Sequence, residues 1–397
     1  VVTIKKMVDF NYIIIGGGMA GLYMGFQLRK RGVSFHILEK ESRLGGRAWT
    51  ESFAGVDVSP GAGIGRRRKD KRLMALMHEL GLDIHFFRIK TFFSPVLTDL
   101  VNDFEPQELI NQLYTSFLEH NRPAVSFRDF ALQVWGEETY DKFIVLNGYS
   151  DMENEDISQT FFNYGLDDNL EVNWQGFSVP WAKLVQKMAS CIGRRNISTN
   201  QAVVKLVNLA NGFSVRTPEK QYTCNEVILA VPTRVIQKLL PQYADWYALV
   251  PDQPFLRTYV QFDDTSARIM EHFINGTTIV SNELQKIIPI NKDKGVYMIA
   301  YSDNARALVG KRFRKKEVIQ RLQEEFRMDQ PLRILKLKHY FWKTGTHYYK
   351  PLSGSRQTFL EKIRHPEPGV YVIGEAVSLN QGWVEGALES VDEVLFA

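Results

Sequence analysis

Apolar residues in this chain follow two rhythms, and the switches between them mark out its elements. Tyr12-Ile13-Ile14-Ile15 is a short unbroken apolar run with the length and branching of a buried strand. Ala20, Met24 and Leu28 then recur at helical spacing up to Gly32, which stands where a C-cap glycine belongs, and residues 33–38 form a second strand-like run ending in Glu39. Helical spacing returns at Leu73, Leu76, Met77 and Leu80 and predicts helix from Arg72 to about Gln133. From there to Leu184 the chain is rich in aromatic and acidic residues, with little strand–helix alternation. Residues 203–206 and 213–215 suit a hairpin turning at Asn211-Gly212, and residues 226–231 form a longer apolar strand. Residues 257–262 open a second mixed region that runs to about Tyr349. Residues 370–373 are a last strand meeting Gly374, and a helix beginning near Val384 closes the chain. No repeat or low-complexity linker separates these textures, which predicts interleaved domains rather than domains in series.

Between the first strand and the first helix lies Gly16-Gly17-Gly18-Met19-Ala20-Gly21, which places the G-x-G-x-x-G spacing on Gly16, Gly18 and Gly21. A lone match of this kind is weak; between a strand and a helix, with an acid ending the next strand, it is specific. Gly16 serves the tight turn, Gly18 lets backbone approach a pyrophosphate, and Gly21 lets helix and strand pack closely. Phosphates favour the helix start, where free N–H groups and the positive end of the dipole meet them. Glu39 stands where a carboxylate accepts hydrogen bonds from the adenosine ribose, which favours FAD or NAD over NADP. The run 55–65, strand-like and then glycine-rich, suits backbone lying close to a flat group such as an isoalloxazine ring.

Composition narrows the partners. The chain has 397 residues, 44% of them hydrophobic, which is ample for more than one domain. The formal net charge is only +4, so nothing in the charge balance points to nucleic acid. The run Arg66-Arg67-Arg68-Lys69-Asp70-Lys71-Arg72 is the local exception, with a solvated loop and helix start as the first reading, cofactor phosphate contact the second and a polyanion patch the third. Two cysteines, Cys191 and Cys224, and eight scattered histidines predict neither a disulfide framework nor a metal site, and point to a reducing, cytoplasmic setting. No apolar run reaches the length of a membrane span.

Taken together, Gly16-Gly17-Gly18-Met19-Ala20-Gly21-Leu22, Leu38-Glu39-Lys40 and Leu44-Gly45-Gly46-Arg47 resemble the FAD-binding signature of the flavin amine oxidases. The far end, Gly374-Glu375-Ala376 followed by Gly382-Trp383-Val384-Glu385-Gly386-Ala387-Leu388-Glu389-Ser390, resembles that family's closing motif. The resemblance implies an α/β fold in which a Rossmann-like FAD-binding domain (residues 1–80, 195–255 and 350–397) is interleaved with a smaller α+β substrate domain (81–194 and 256–349). It further implies a cofactor site of Gly16, Gly18, Met19, Ala20, Gly21, Glu39, Arg43, Gly46, Arg47, Gly61, Ala62, Val203, Gly374, Glu375, Trp383 and Val384. In it Arg47 reaches the pyrophosphate or the flavin side, Val203 lays its backbone on the adenine, Gly61-Ala62 follow the isoalloxazine, and the Val384 N–H meets the flavin carbonyl beside N1. Core packing is the competing reading for Val203 and Val384.

Three departures stand out against that family. A lysine that holds water beneath flavin N5 is replaced by Arg257, which is forked, bulkier and never deprotonated, so slow oxidase and dehydrogenase both stay open. A buried structural arginine is the competing reading. Two aromatic walls usually flank the substrate; Trp383 supplies one, and His347 or Tyr348 the other, with His347 open to hydrogen bonding or to accepting a proton. Thr346 stands where one branch carries the cysteine that bonds the flavin, which predicts non-covalent FAD. With Arg257, His347 and Trp383 as catalytic candidates, the expected reaction passes the α-hydride of an amine to flavin N5. The imine is then hydrolysed and the flavin reoxidised by oxygen, yielding hydrogen peroxide, or by another acceptor. Glu153, Glu155, Asp156, Asp167 and Asp168 are candidates for attracting a polyamine, exposed loop being the competing reading. A flavin isomerase or desaturase and a non-catalytic FAD-binding protein are the rival functions.

Overall fold

The computed structural model describes residues 8–102, 104–163 and 174–395, so Asp167 and Asp168 lie outside the described residues. Its centre is a parallel sheet. Strand Phe10–Ile15 lies between Phe35–Leu38 and Gln221–Leu229, with Ile197–Ser198 beyond the former. Val370–Val372 pairs with the second half of Gln221–Leu229, whose first half pairs antiparallel with Phe213–Arg216. The expected hairpin joins that strand to Lys205–Asn208 through Gly212 at φ +89°. The apolar runs are continuous because both sheet faces are covered. Ile14, Ile37 and Ile228 face a core with the helices Met19–Lys30, Trp181–Ile192 and Val384–Leu395, while Ile13, Ile15, Leu38 and Leu229 face a second core with Ile236, Leu360 and Ile363.

A second sheet of six strands runs in the order Ile334–His347, Asp252–Phe262, Val296–Asp303, Lys286–Asn291, Thr277–Ile279, Thr91–Phe93. It has its own core around Val260, Ile299, Val318 and Leu322. Helices Pro106–Glu119, Phe127–Trp135, Glu137–Asn147 and Ile157–Asn163 close around a further aromatic cluster including Phe117, Phe127, Phe130 and Phe143.

Two expectations need adjustment. The helical stretch predicted from Arg72 to Gln133 is interrupted. Helix Lys71–Glu79 ends before Gly81, at φ +62°, and strands His85–Arg88 and Thr91–Phe93 follow, the first pairing with Gln175–Ser178 and the second with Thr277–Ile279. Long-range pairing of β-favouring phenylalanines there overrides the helical texture on either side. Helix Trp181–Ile192, placed by its sequence position within the inserted segment, buries Trp181, Leu184, Met188 and Ile192 in one core with helix Met19–Lys30. Its apolar stripe fits the nucleotide-side core, so the chain returns to that layer before residue 195.

Helix Val384–Leu395 is locked onto helix Lys71–Glu79. Glu385, in the first turn of the closing helix, accepts the Arg72 N–H and Leu73 N–H at 3.0 Å each, satisfying two donors at the start of helix Lys71–Glu79. Arg72 returns the contact to Asp392 at 2.8 Å. Among the described residues no helix is long and apolar enough to cross a membrane.

At Gly21 a Cβ would fall 1.9 Å from the Gly16 carbonyl oxygen, a backbone atom with no room to move. Gly21→Ala is therefore expected to destabilise the fold by about 1–3 kcal/mol, read as a lowered midpoint in denaturant unfolding; an unchanged midpoint would show that strand and helix are not pressed together there.

Candidate active site

The glycine turn and the second glycine motif dock on each other. Gly45 N–H donates to the Gly17 carbonyl at 2.8 Å, and Gly18 and Gly45 form an isolated parallel bridge. Gly16 needs φ +111°, and a Cβ on it would strike the Ala230 carbonyl at 2.4 Å. Gly18 differs: its φ is −75° and a Cβ would meet nothing within 4 Å. Helix Met19–Lys30 starts there with no side-chain cap and no acidic residue in its first turn, and Met19, Ala20 and Gly21 are buried. Open space in front of an uncapped helix start is what a dinucleotide phosphate requires, so these residues fit FAD.

Glu39 is buried, and both its oxygens are engaged by backbone. Oε2 accepts the Gly17 N–H at 2.7 Å and Oε1 the Glu41 N–H at 2.8 Å. Each oxygen keeps a second lone pair, so the carboxylate braces the glycine turn while remaining able to accept a ribose hydroxyl. Val203 is half-buried against the second core, and its own N–H and C=O make no backbone hydrogen bond among the described residues. Arg43 donates to the Gly46 carbonyl at 2.8 Å and lies 4.3 Å over the Trp49 ring. Gly374, at φ +128°, donates its N–H to Ser390 Oγ at 2.8 Å and faces open space. Val384 is the first residue of the closing helix and packs partly into the first core.

Three glycines of residues 55–65 lie close to protein atoms. A Cβ on Gly61 would lie 2.0 Å from the Arg47 carbonyl, one on Gly63 3.1 Å from the Arg257 guanidinium, and one on Gly65 2.1 Å from Phe177. The Arg47 backbone at Gly61 and the Phe177 ring at Gly65 leave no room for a Cβ, whereas at Gly63 only a small shift of the Arg257 side chain would be needed. The loop is also fastened from both layers. Ser59 O accepts Arg257 Nη1 at 2.9 Å and Tyr259 OH at 2.8 Å, Pro60 O accepts Trp342 Nε1 at 2.8 Å, and Gly63 O accepts Trp181 Nε1 at 3.2 Å. The Ala62 N–H donates to the Arg47 carbonyl at 2.9 Å.

Arg257 is 5% exposed, on strand Asp252–Phe262, and makes no ion pair among the described residues. Its guanidinium lies 4.7 Å over Tyr301, and its Nε has no partner among the described residues. Burial raises the Tyr301 phenol, with Arg257 opposing that shift.

Glu375 gathers the remaining candidates. Oε1 accepts His347 Nδ1 at 2.6 Å and Arg47 Nη1 at 2.9 Å, and Oε2 accepts the Gly382 N–H at 3.1 Å. Arg47 Nη1 also donates to the Gly345 carbonyl at 2.7 Å. One buried carboxylate thus joins the first cofactor motif, the strand ending at His347, and the loop leading to Trp383. Burial works to raise the Glu375 carboxyl; the charges of His347 and then Arg47, with hydrogen bonds from His347 and Gly382, overcome it and hold the group well below the usual carboxylate range. Of the two wall candidates on the strand, His347 makes this contact, while Tyr348 is half-buried with its N–H on the Pro251 carbonyl at 3.2 Å. His347 Nε2 is buried and unpartnered among the described residues. Thr346 accepts Gln253 Nε2 at 3.2 Å and offers no thiol.

Trp383 is half-buried, and the Arg66 guanidinium stacks 3.9 Å over its ring. Arg66 itself is 2% exposed and bonds to Asp70 through Nε at 2.9 Å and Nη2 at 2.7 Å. The solvated-loop reading of the basic run therefore fails at Arg66, which is a buried brace for the indole. It holds at Arg67 and Arg68, which are exposed and line an open cleft of about 420 Å³ with Arg88 and Gln175. Asp70, four residues after Arg66, was the sequence signal for that brace. Of the acids expected to draw a polyamine, Glu155 and Asp156 are buried and Glu153 is half-buried. Glu153 accepts Tyr140 OH at 2.5 Å, and Asp156 accepts the Leu352 N–H at 2.9 Å and pairs with Arg356 at 3.2 Å. Glu155, fully buried against Thr160 and Asn163, is pushed up to about 8 by that burial. They serve the fold of the helical insertion rather than a charged entrance.

Residues 19–391 match the sequence profile of a family described as flavin containing amine oxidoreductase. Lysine-specific histone demethylase 2 of Homo sapiens is 26% identical over 255 residues, which are 57% of this chain and 30% of that protein, so the chain spans under a third of its length. An uncharacterized protein of Acanthamoeba polyphaga mimivirus is 21% identical over 98% of this chain and 94% of its own. Among solved structures, putrescine oxidase bound to putrescine shares the fold with a TM-score of 0.79 at 16% identity, covering 97% of this chain and 98% of that one. Cyclohexylamine oxidase from Brevibacterium oxydans does so with a TM-score of 0.74 at 15% identity, covering 98% and 100%.

Because a Cβ at Gly18 meets no protein atom, Gly18→Ala is expected to leave the unfolding midpoint of cofactor-free protein unchanged while weakening FAD binding at least tenfold, about 1.4 kcal/mol. Flavin fluorescence titration checks it; unweakened binding would show that the open space is not the phosphate site.

Proposed function

The chain belongs to the family of flavin containing amine oxidoreductases, and on that premise we propose that it binds FAD non-covalently and oxidises the C–N bond of an amine to an imine, which water then hydrolyses. The observation that carries this reading is the meeting at Glu375 of the strand ending in His347 and the loop leading to Trp383, both joined to Arg47 of the cofactor motif. Bound FAD supplies the two-electron acceptor that takes the α-hydride of the amine.

The protein's part is placement. Trp383, held from one side by Arg66, offers its remaining face and edge to the substrate, and His347 stands as the second wall. An indole face already occupied by a guanidinium attracts a second cation less, which favours a substrate whose nitrogen is neutral when it reacts. The loop 59–63, pinned by Arg257, Tyr259, Trp342 and Trp181, forms a rigid wall between the layers. Thr346, lacking a thiol, supports the non-covalent assignment. An amine is the substrate class; the likeness to putrescine oxidase favours a diamine or polyamine among the candidates, with recognition by groups other than Glu153, Glu155 and Asp156.

For the acceptor, Arg257 favours slow reaction with oxygen. A guanidinium fixed on Ser59 O and stacked on Tyr301 is committed to the protein, and it cannot give up a proton. Oxygen, with hydrogen peroxide as product, remains the acceptor to be measured against an artificial one.

Anaerobic mixing of holoprotein with putrescine, cyclohexylamine and other amines is expected to bleach the oxidised flavin band. Bleaching only by non-amine donors would favour an isomerase or desaturase-like role, and no bleaching by any donor a non-catalytic one. Once the flavin is reduced, Arg257→Lys is expected to speed its reoxidation in air about tenfold, ~1.4 kcal/mol of barrier, with little change in an artificial acceptor assay; equal rates in air would remove Arg257 as the brake.

A further inference from the structure

Glu375 stands in the closing motif and accepts from Arg47, Gly382 and His347. Its shortest contact, 2.6 Å, is to a histidine nitrogen. Glu375 also accepts from the Arg47 guanidinium and the Gly382 N–H, as an ionised carboxylate does, and so has no hydrogen to give; the hydrogen of that contact sits on His347 Nδ1. In the neutral imidazole the other nitrogen, Nε2, then carries the lone pair. That nitrogen is buried in a side chain only 1% exposed and meets no donor among the described residues. A buried acceptor without a partner, on a ring whose tautomer is fixed from behind, is suited to a donor brought in by a ligand.

The surroundings assign the donor's class. Glu375 and, through it, Arg47 face the ring; Asp252 lies opposite His347 across the strand pair, with its carboxylate engaged by Thr344 and lying 3.5 Å from Arg234. Tyr348 follows His347, and burial raises its phenol, so it stays neutral across the working range. Among these groups His347 is therefore the one that presents an unpartnered nitrogen among the described residues. Most aliphatic amines arrive protonated, with a pKa near that of lysine, ~10.4, and an ammonium has no lone pair with which to assist loss of hydride from the adjoining carbon.

We propose that Glu375 is a positioning residue that fixes the tautomer of His347, and that His347 Nε2 is the base that removes a proton from a bound ammonium before the C–N bond is oxidised. The proposal rests on the amine reading of the site and adds to it how a protonated amine becomes reactive. The balance is simple: one N–H bond of the ammonium breaks, its electron pair stays on the amine nitrogen, and the proton forms the Nε2–H bond. The imidazolium so made lies against Glu375, which stabilises it, and the proton leaves to water after turnover. The substrate class is thus amines that bind in the ammonium form.

Two measurements test this. In protein carrying ¹⁵N-histidine, with and without FAD, the His347 signals, assigned by their loss in His347→Gln or His347→Phe, are expected to show hydrogen on Nδ1 and a bare Nε2. Glu375→Gln is expected to relax that preference and Glu375→Asp to restore part of it. Hydrogen found on Nε2 in the native protein overturns the positioning role, whatever the activity. In anaerobic stopped flow with cyclohexylamine as probe, His347→Gln and His347→Phe are expected to slow flavin reduction at least about 100-fold near pH 7. That deficit should shrink toward none as pH approaches the amine pKa, where the free base is supplied by solution. A deficit that does not vary with pH, or no deficit, overturns the base. If the native holoprotein is not reduced by any amine, the amine reading itself fails and takes the base with it, while the ¹⁵N result still decides the tautomer separately.

Discussion

A single buried carboxylate closes this molecule around its site. Glu375 accepts from Arg47, His347 and Gly382, which belong to the first cofactor motif, the longest strand of the second sheet, and the loop before the closing helix. A charge taken out of water at this depth survives only if its partners are well placed, and breaking one such contact commonly costs about 3–5 kcal/mol. Geometry and electrostatics are therefore coupled. The contacts that keep Glu375 ionised are the ones that set the distance between the two layers, and they orient the imidazole between them.

The same logic organises the loop 59–63. Four side chains from two layers donate to its carbonyls, and the Arg47 backbone leaves no room for a Cβ at Gly61. Buried backbone acceptors that would otherwise demand water are satisfied by long side chains reaching across the interface. The outcome is a stiff edge where mobility would blur the placement of a reacting carbon. Arg66 repeats the device on the other wall, with Asp70 neutralising the guanidinium that supports Trp383.

What the sequence disclosed and what it hid follow from locality. The glycine turn, Glu39, the second glycine motif and the closing motif are short runs whose spacing is their chemistry, so the parallel α/β layer and its FAD were readable before any coordinates. The family profile over residues 19–391 agrees with that reading. Hidden features depend on partners far along the chain. Nothing local reveals that the Arg47 carbonyl presses on Gly61. The phenylalanines at 86, 87, 92 and 93 read as helix until their distant strand partners are known, and helix Trp181–Ile192 carries no mark of the layer it joins. Arg66 looked solvated amid six charged neighbours, although Asp70 sat at pairing distance. His347 was visible as a wall residue, but its link to Glu375 spans 28 positions and surfaced only in three dimensions.

The nucleotide-side sheet draws strands from residues 10–15, 35–38, 197–198, 221–229 and 370–372, and its last covering helix starts at Val384. The glycine turn at residues 16–21 therefore depends on segments as distant as 370–372 and 384–395 to complete its layer. A chain cut before residue 370 would leave strand Gln221–Leu229 without that partner, an exposed sheet edge of the kind that chaperones and proteases select.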